Sequence, residues 1–234
     1  MDESYQALVR ERMDSLQAEI RQILERVGDP HRPVRTIAVT KYIGVAAMAD
    51  LVQAGIKTAG ENRWQVAREK ALAFPQVEWH FIGPLQRNKA RHIARHFAWV
   101  HSVDRLELVE DLASHARDFG KTLDILLQVN ISGEAQKSGV APDAARALLE
   151  SSMQLKGIAV KGLMGIAKNT SDESAWRDEF RLLRALRDEL QAQTGLPLPE
   201  LSMGMSEDYP VALEEGSTML RIGRKLVLKE GLAH

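Results

Sequence analysis

The sequence predicts an α/β protein of one domain, a closed (β/α)8 TIM-type barrel with an extra helix at its amino end. Three observations carry this. Eight short apolar runs alternate with seven helical stretches, which is the pattern of parallel strands covered by helices. The 234 residues are enough for one large core but not for two domains of this kind. The first strand-to-helix turn, Lys41-Tyr42-Ile43-Gly44, lacks a glycine-rich phosphate fingerprint, which disfavours the open doubly wound sheet.

The elements follow in order. Tyr5, Leu8, Val9, Leu16, Ile20, Ile23, Leu24 and Val27 recur at helical spacing, and Gly28-Asp29-Pro30 stops that helix. Strands are expected at 36–41, 57–60, 78–83, 98–103, 123–131, 159–166, 200–203 and 218–223. Helices are expected at 45–54, 64–74, 89–96, 105–119, 143–153, 173–193 and 208–215. The domain spans 1–234, with the extra helix at 1–28 and the barrel core at 36–223. The extra helix is expected outside the barrel or across its bottom.

Composition narrows the function. A net charge of -1 gives no overall field favouring nucleic acid or membrane. The absence of cysteine excludes disulfides, thiolate metal sites and a cysteine nucleophile. The first residues, MDESYQALVRERMDS, carry no apolar signal core, and no run reaches the length of a membrane span. A cytoplasmic protein is the expectation.

In such barrels the chemistry collects at the carboxyl ends of the strands. Lys41 ends the apolar run Thr36-Ile37-Ala38-Val39-Thr40. Low dielectric there would disfavour the charged amine and favour the free amine that Schiff-base formation requires. Strand seven runs into Ser202-Met203-Gly204-Met205-Ser206, followed by a short helix that holds Pro210. Ser206 is placed to cap that helix or to offer its hydroxyl to an anion. Strand eight ends in Arg221-Ile222-Gly223-Arg224, and Gly223 permits close backbone approach to a ligand. Loops after strands seven and eight are the fold's usual phosphate position, against which Glu207 and Asp208 weigh unless they point away. A lysine and an anion site on one barrel admit two explanations, a Schiff-base aldolase or a holder of pyridoxal phosphate (PLP). No carboxylate pair forms an acid/base dyad. His92 and His96 are four apart among Arg87, Lys89, Arg91 and Arg95, which would repel a metal. Trp176, Phe180, Leu183, Leu186 and Leu190 read as a core stripe, and Lys137 as a loop lysine without a role.

Several strings occur together in order: Ala38-Val39-Thr40-Lys41, Gly60-Glu61-Asn62, Trp79-His80-Phe81-Ile82-Gly83-Pro84-Leu85-Gln86-Arg87-Asn88-Lys89, Lys137-Ser138-Gly139, Lys161-Gly162-Leu163-Met164, Leu201-Ser202-Met203-Gly204-Met205-Ser206 and Gly216-Ser217-Thr218-Met219-Leu220-Arg221-Ile222-Gly223. On these the chain resembles the pyridoxal phosphate homeostasis protein family (YggS/PROSC type) from about Ile37 to Gly223. The resemblance implies a fold-type III PLP barrel like the N-terminal domain of alanine racemase, without that enzyme's second, β-rich domain. It implies PLP as a Schiff base on Lys41, Asn62 beside the cofactor, Ser206 and Gly223 at the phosphate and Arg221 near the pyridine nitrogen. An arginine there leaves the ring a weaker electron sink. Two departures stand out. Arg224 occupies the place of a threonine, where its guanidinium would either replace the hydroxyl contact or point away. The closing stretch Lys225-Leu226-Val227-Leu228-Lys229 lacks the family's Phe-Gly pair.

The function so implied is a non-catalytic PLP-binding protein of PLP homeostasis that passes the cofactor to apo-PLP enzymes, acts as a monomer and uses no metal. The alternatives are a PLP-dependent racemase or decarboxylase, and a cofactor-free lysine aldolase. A racemase needs a proton donor on each cofactor face, and the tyrosines are only Tyr5, Tyr42 and Tyr209.

Overall fold

Helix α1 (Glu3–Arg26) starts where the carboxylate of Asp2 accepts the amide of Tyr5, an N-cap that satisfies one of the helix's open donors. Its apolar face buries Tyr5, Val9, Leu16, Ile20, Ile23 and Leu24, whereas Val27 falls at the C-cap and is exposed. The computed structural model describes residues 2–134 and 136–228, so Lys229 and the rest of the expected domain end lie outside the described residues.

Strands and helices then alternate: β1 (Arg35–Val39), α2 (Val45–Gln53), β2 (Thr58–Glu61), α3 (Trp64–Ala73), β3 (Glu78–Phe81), α4 (Ala90–His96), β4 (Trp99–Val103), α5 (Leu106–Asp118), β5 (Leu123–Gln128), α6 (Ala145–Met153), β6 (Ile158–Met164), α7 (Glu173–Thr194), β7 (Glu200–Ser202), α8 (Tyr209–Glu214), β8 (Met219–Ile222) and α9 (Arg224–Val227). All eight strands pair in parallel in sequence order, and β8 closes on β1 in the register Arg35↔Met219 to Ala38↔Ile222. The predicted barrel is therefore the observed one. β1, β3, β5, β6, β7 and β8 end one to three residues earlier than the apolar runs suggest. Just past those ends Thr40, Ile82, Val129, Gly165 and Met203 each still donate one backbone bond to the neighbouring strand, to Gly60, Glu61, Met164, Ser202 and Met219, before the chain turns into the loops of the carboxyl mouth.

Side chains alternate across each strand. Outward residues meet the helices in one continuous core, to which α7 contributes Trp176, Phe180, Leu183 and Leu190, with Leu186 partly buried. Inward residues form a second, smaller cluster of Ile37, Trp99, Leu126, Met164 and Met219. Beside it the lumen holds fully buried polar side chains, His80, His101 and Ser202.

The extra helix packs on the outside, against α2, α8 and α9. Gln6 donates to Asp50 on α2 at 3.0 Å, and Tyr5 donates its hydroxyl to the carbonyl of Val227 on α9. Glu19 accepts from Tyr209 on α8 and from Lys225 on α9. It therefore lies across the seam where the barrel closes. Helix α9 is not foreshadowed by periodicity; four residues are too few to show one. No helix among the described residues is long and apolar enough to cross a membrane.

The lumen cluster should be sensitive to volume. Met219→Ala should cost about 2–5 kcal/mol in urea unfolding, because the surrounding rings cannot collapse into the void. Leu182→Ala, on the exposed face of α7, should stay within about 0.5 kcal/mol.

Candidate functional site

A cleft of about 710 Å³ opens at the carboxyl end of the barrel. Lys41, Asn62, Ser206, Arg221, Gly223 and Arg224 all line it, although they come from four different strand ends. Tyr42, Lys137, Lys168 and Met205 complete much of the rim.

Lys41 does not end a buried strand, as the sequence suggests. β1 stops at Val39, Thr40 is buried, and Lys41 stands half-buried in the turn that follows. Its Nζ lies 4.7 Å from the centre of the Tyr42 ring, a cation–π contact at the mouth. Among the described residues the fully buried lysine is instead Lys70 on α3. Its ammonium donates to the carbonyls of Thr40 at 2.7 Å and Ile43 at 2.9 Å, and pairs with the carboxylate of Glu61. All three of its donors are then spent. Thr40 completes the bracket by donating its hydroxyl to the same Glu61 oxygen at 2.6 Å. The turn that carries Lys41 is thus gripped from inside on both flanks. Nothing in the helical pattern of 64–74 distinguishes Lys70 from a surface lysine, so sequence reasoning missed it. The available signal was Glu61, a carboxylate directly after a buried strand and in need of a counter-ion.

Asn62 follows β2, and its backbone presses on the next loop. A Cβ on Gly83 would lie 2.4 Å from the carbonyl oxygen of Asn62, so only glycine fits there. On the far side, Gly204 has φ +96 and lies against Ala212, Leu220 and Tyr209, which turns the strand-seven loop back over α8.

Ser206 is not the helix cap. α8 begins at Tyr209 and Asp208 occupies the cap position, while Asp208 accepts the amide of Met205. Ser206 stays half-buried beside the start of α9 and accepts the amide of Lys225 at 3.4 Å. The two acidic residues that weighed against an anion site are both engaged. Asp208 is buried in its loop, where desolvation raises its pKa against the opposing pull of the Met205 amide and Arg221. Glu207 pairs with Arg224 at 2.6 Å on the exposed rim. Of the two placements open to Arg224, the structure shows it held at the rim by that carboxylate.

Arg221 is buried and reaches across the lumen. It donates to the carbonyl and hydroxyl of Ser202, both at 2.7 Å, and to the carbonyl of Gly165 at 2.9 Å. Burial pushes its pKa down to about 10, opposed by Asp208, so it remains a cation at neutral pH. A guanidinium has five N–H donors and three are used, which leaves the Nε–H and one terminal N–H for the cleft. Amine, hydroxyl, amide and unspent guanidinium donors in one cleft suit an anionic ligand. Away from this site, His92 and His96 both stack on Trp64, at 4.9 and 5.4 Å.

The comparisons agree with this architecture. The family model for the alanine racemase N-terminal domain matches residues 12–229. A pyridoxal phosphate homeostasis protein of Pseudomonas aeruginosa is 41% identical, covering 93% of this chain and 94% of that one. One from Aquifex aeolicus is 37% identical over 92% and 96%. Among solved structures, PipY of Synechococcus elongatus with PLP bound superposes with a TM-score of 0.82 at 35% identity, covering 94% of this chain and all 100% of that one. An alanine racemase of Clostridium difficile shares the fold alone, with a TM-score of 0.73 at 13% identity, over 94% of this chain and 56% of the enzyme. The chain belongs to the pyridoxal phosphate homeostasis protein family, built on the alanine racemase N-terminal domain.

Proposed function

We propose that this protein binds PLP in the cleft, holds it as a Schiff base on Lys41 and serves PLP homeostasis without turning over a substrate. The observation that carries this is the convergence of Lys41, Ser206 and the two unspent donors of Arg221 in one cleft. PLP supplies an aldehyde that condenses reversibly with amines and so can be handed to another amine. The residues do the rest. Lys41 offers the amine, and the Lys70–Glu61 bracket fixes the turn that presents it. Ser206 and the backbone at Gly223 hold the phosphate. Asn62 flanks the ring, and Arg221 donates toward the pyridine nitrogen without protonating it. Arg224 stays with Glu207 or swings to the phosphate as a mobile charge at the rim.

A carrier role fits the acid/base inventory. Tyr5 donates to the carbonyl of Val227, and Tyr209 is tied to Glu19 and Lys225, both on the outer surface of the barrel. Tyr42 reaches the cleft but sits against Lys41 itself. No tyrosine is therefore set across the cleft from the lysine to serve as a second proton donor. Transfer goes to apo-PLP enzymes of the cytoplasm, from a monomer whose cleft opens to solvent.

Borohydride treatment of the PLP-loaded protein should fix one PLP on the peptide containing Lys41, read by mass spectrometry. A label elsewhere refutes the attachment.

Incubated with L- and D-amino acids, the loaded protein should give only trace racemisation or decarboxylation, because a missing acid or base costs about 10²–10⁴-fold. It should nevertheless restore activity to an apo-PLP enzyme. Sustained turnover that disappears in Lys41→Ala would restore the enzyme reading.

Lys70→Met should destabilise the fold by about 3–5 kcal/mol, since it strands the Glu61 carboxylate in the interior. It should also slow formation of the Lys41 adduct. Lys70→Met/Glu61→Gln should regain stability but not the adduct rate. Equal recovery of both would show that the bracket does not position Lys41.

A further inference from the structure

A single row of hydrogen bonds crosses the lumen from one end of the barrel to the other. Glu78, at the amino end of β3, meets His80 Nε2 at 2.9 Å. His80 Nδ1 meets His101 Nε2 at 2.8 Å. His101 Nδ1 meets Ser202 Oγ at 2.9 Å, and Ser202 Oγ accepts from Arg221 at 2.7 Å. His80, His101 and Ser202 are fully buried, and Trp99 stacks on His80 at 5.6 Å with an interplanar angle of 3°.

The carboxylate end of the row, with two neutral rings, fixes its direction. A guanidinium only donates and a carboxylate only accepts. Glu78 therefore requires the proton of His80 on Nε2. A neutral His80 then has a bare Nδ1, which must accept from His101 Nε2–H. His101 in turn has a bare Nδ1, which must accept the hydroxyl proton of Ser202. That leaves the Ser202 oxygen to accept from Arg221, which is what an obligate donor demands. The Arg221 end alone does not fix the direction, because the Ser202 oxygen has two lone pairs; the carboxylate of Glu78 together with two neutral rings does. Burial lowers the pKa of both rings, that of His101 well below the ordinary value.

We propose that Glu78, His80, His101 and Ser202 are positioning residues for the PLP site, a one-way row that fixes the aim of the Arg221 guanidinium and links its charge to an anion at the opposite end of the barrel. The proposal rests on the reading that Arg221 faces the cofactor. Every dipole in the row points its positive end toward Glu78, so the cation at one end and the anion at the other stabilise the same arrangement. The hydroxyl of Ser202 stays turned to His101, and Arg221 NH1 is thereby held with both protons on Ser202. Only Nε–H and one NH2 proton remain for the cofactor. The charged groups around the far end are Arg35 of β1, which pairs with Glu78 at 3.2 Å, Asp124 of β5, Lys161 of β6 and Glu200 of β7. Asp208 is the carboxylate that acts on Arg221 from the cleft side.

The first test uses the cofactor-free protein labelled with 15N. Ring-nitrogen shifts should identify His80 and His101 as neutral Nε2–H tautomers around neutral pH. Either ring found with its proton on Nδ1, or as an imidazolium, overturns the proposal. The second test uses the PLP-loaded protein. Glu78→Gln keeps an acceptor oxygen for His80 but removes the charge, far from the cleft. It should shift the pH profile of the bound cofactor's visible absorption, and Ser202→Ala should shift it in the same sense and weaken PLP binding about tenfold. Profiles from both variants that superpose on the parent's overturn the proposal. Arg221→Lys separates the two layers. If it leaves PLP affinity and spectrum unchanged, the placement of Arg221 beside the cofactor fails and the positioning role falls with it, whereas the tautomers still report on the row itself.

Discussion

Pairing of β8 with β1 is the constraint on which the site depends. The ladder sets Ile37 beside Arg221 and Ala38 beside Ile222. That register brings the turn after β1 next to the loop after β8, although they lie nearly a chain length apart. Slipping it would reverse which β8 residues face the lumen, since side chains alternate along a strand. Arg221 would then turn outward into the helix layer, and its place over the lumen would be lost. Inside, Ile37 and Met219 belong to the same small cluster, so the seam is packed as well as hydrogen-bonded.

The buried cations of this protein divide by how completely their donors are consumed. Lys70 has all three ammonium donors bound, two to carbonyls and one to a carboxylate. It has nothing to offer a ligand, and its work is to hold a loop. Arg221 is as deeply buried but keeps two donors in reserve. Those donors are not among the buried side-chain atoms left without a partner; Arg221 borders the cleft, where they stay available to solvent or a ligand. The pattern makes sense when an incoming group completes the set. The same contrast separates Asp208, committed to the Met205 amide, from Glu207, which rests on Arg224 at the surface and is open to exchange.

The barrel was legible because its signal is spread over the chain: eight runs, seven helical stretches and no fingerprint at the first turn. The cleft residues were legible because strand ends in a barrel share one mouth, and family strings marked which of them to choose. What escaped were relations between distant side chains. Lys70 and Glu61 are nine residues apart, yet neither helix periodicity nor strand alternation says that one fills the other's need. His80 and His101 each sit on an apolar strand and look alike singly; only the lumen aligns them. Lys41 lines the cleft, but the reason the sequence offered for its character was incomplete. Burial was expected to set its character, whereas the turn that holds it is defined by carbonyls gripped from below. Ser206 likewise lines the cleft, but the capping position belongs to Asp208 because the loop folds back through Gly204 before the helix begins.

The outer helix α1 has a consequence for the order of events in folding. Its buried face is satisfied by α2 on one flank and by α8 and α9 on the other, and the bond from Tyr5 to Val227 spans 222 residues. During synthesis α1 emerges well before α8 and α9, so the part of its apolar face that they cover waits for them. Contacts of such sequence separation form late, because the loop they close is nearly the whole chain. The α1 stripe that faces α8 and α9 therefore stays uncovered until those helices have been made. Until then the stripe is exposed apolar surface, open to chaperones and to aggregation alike.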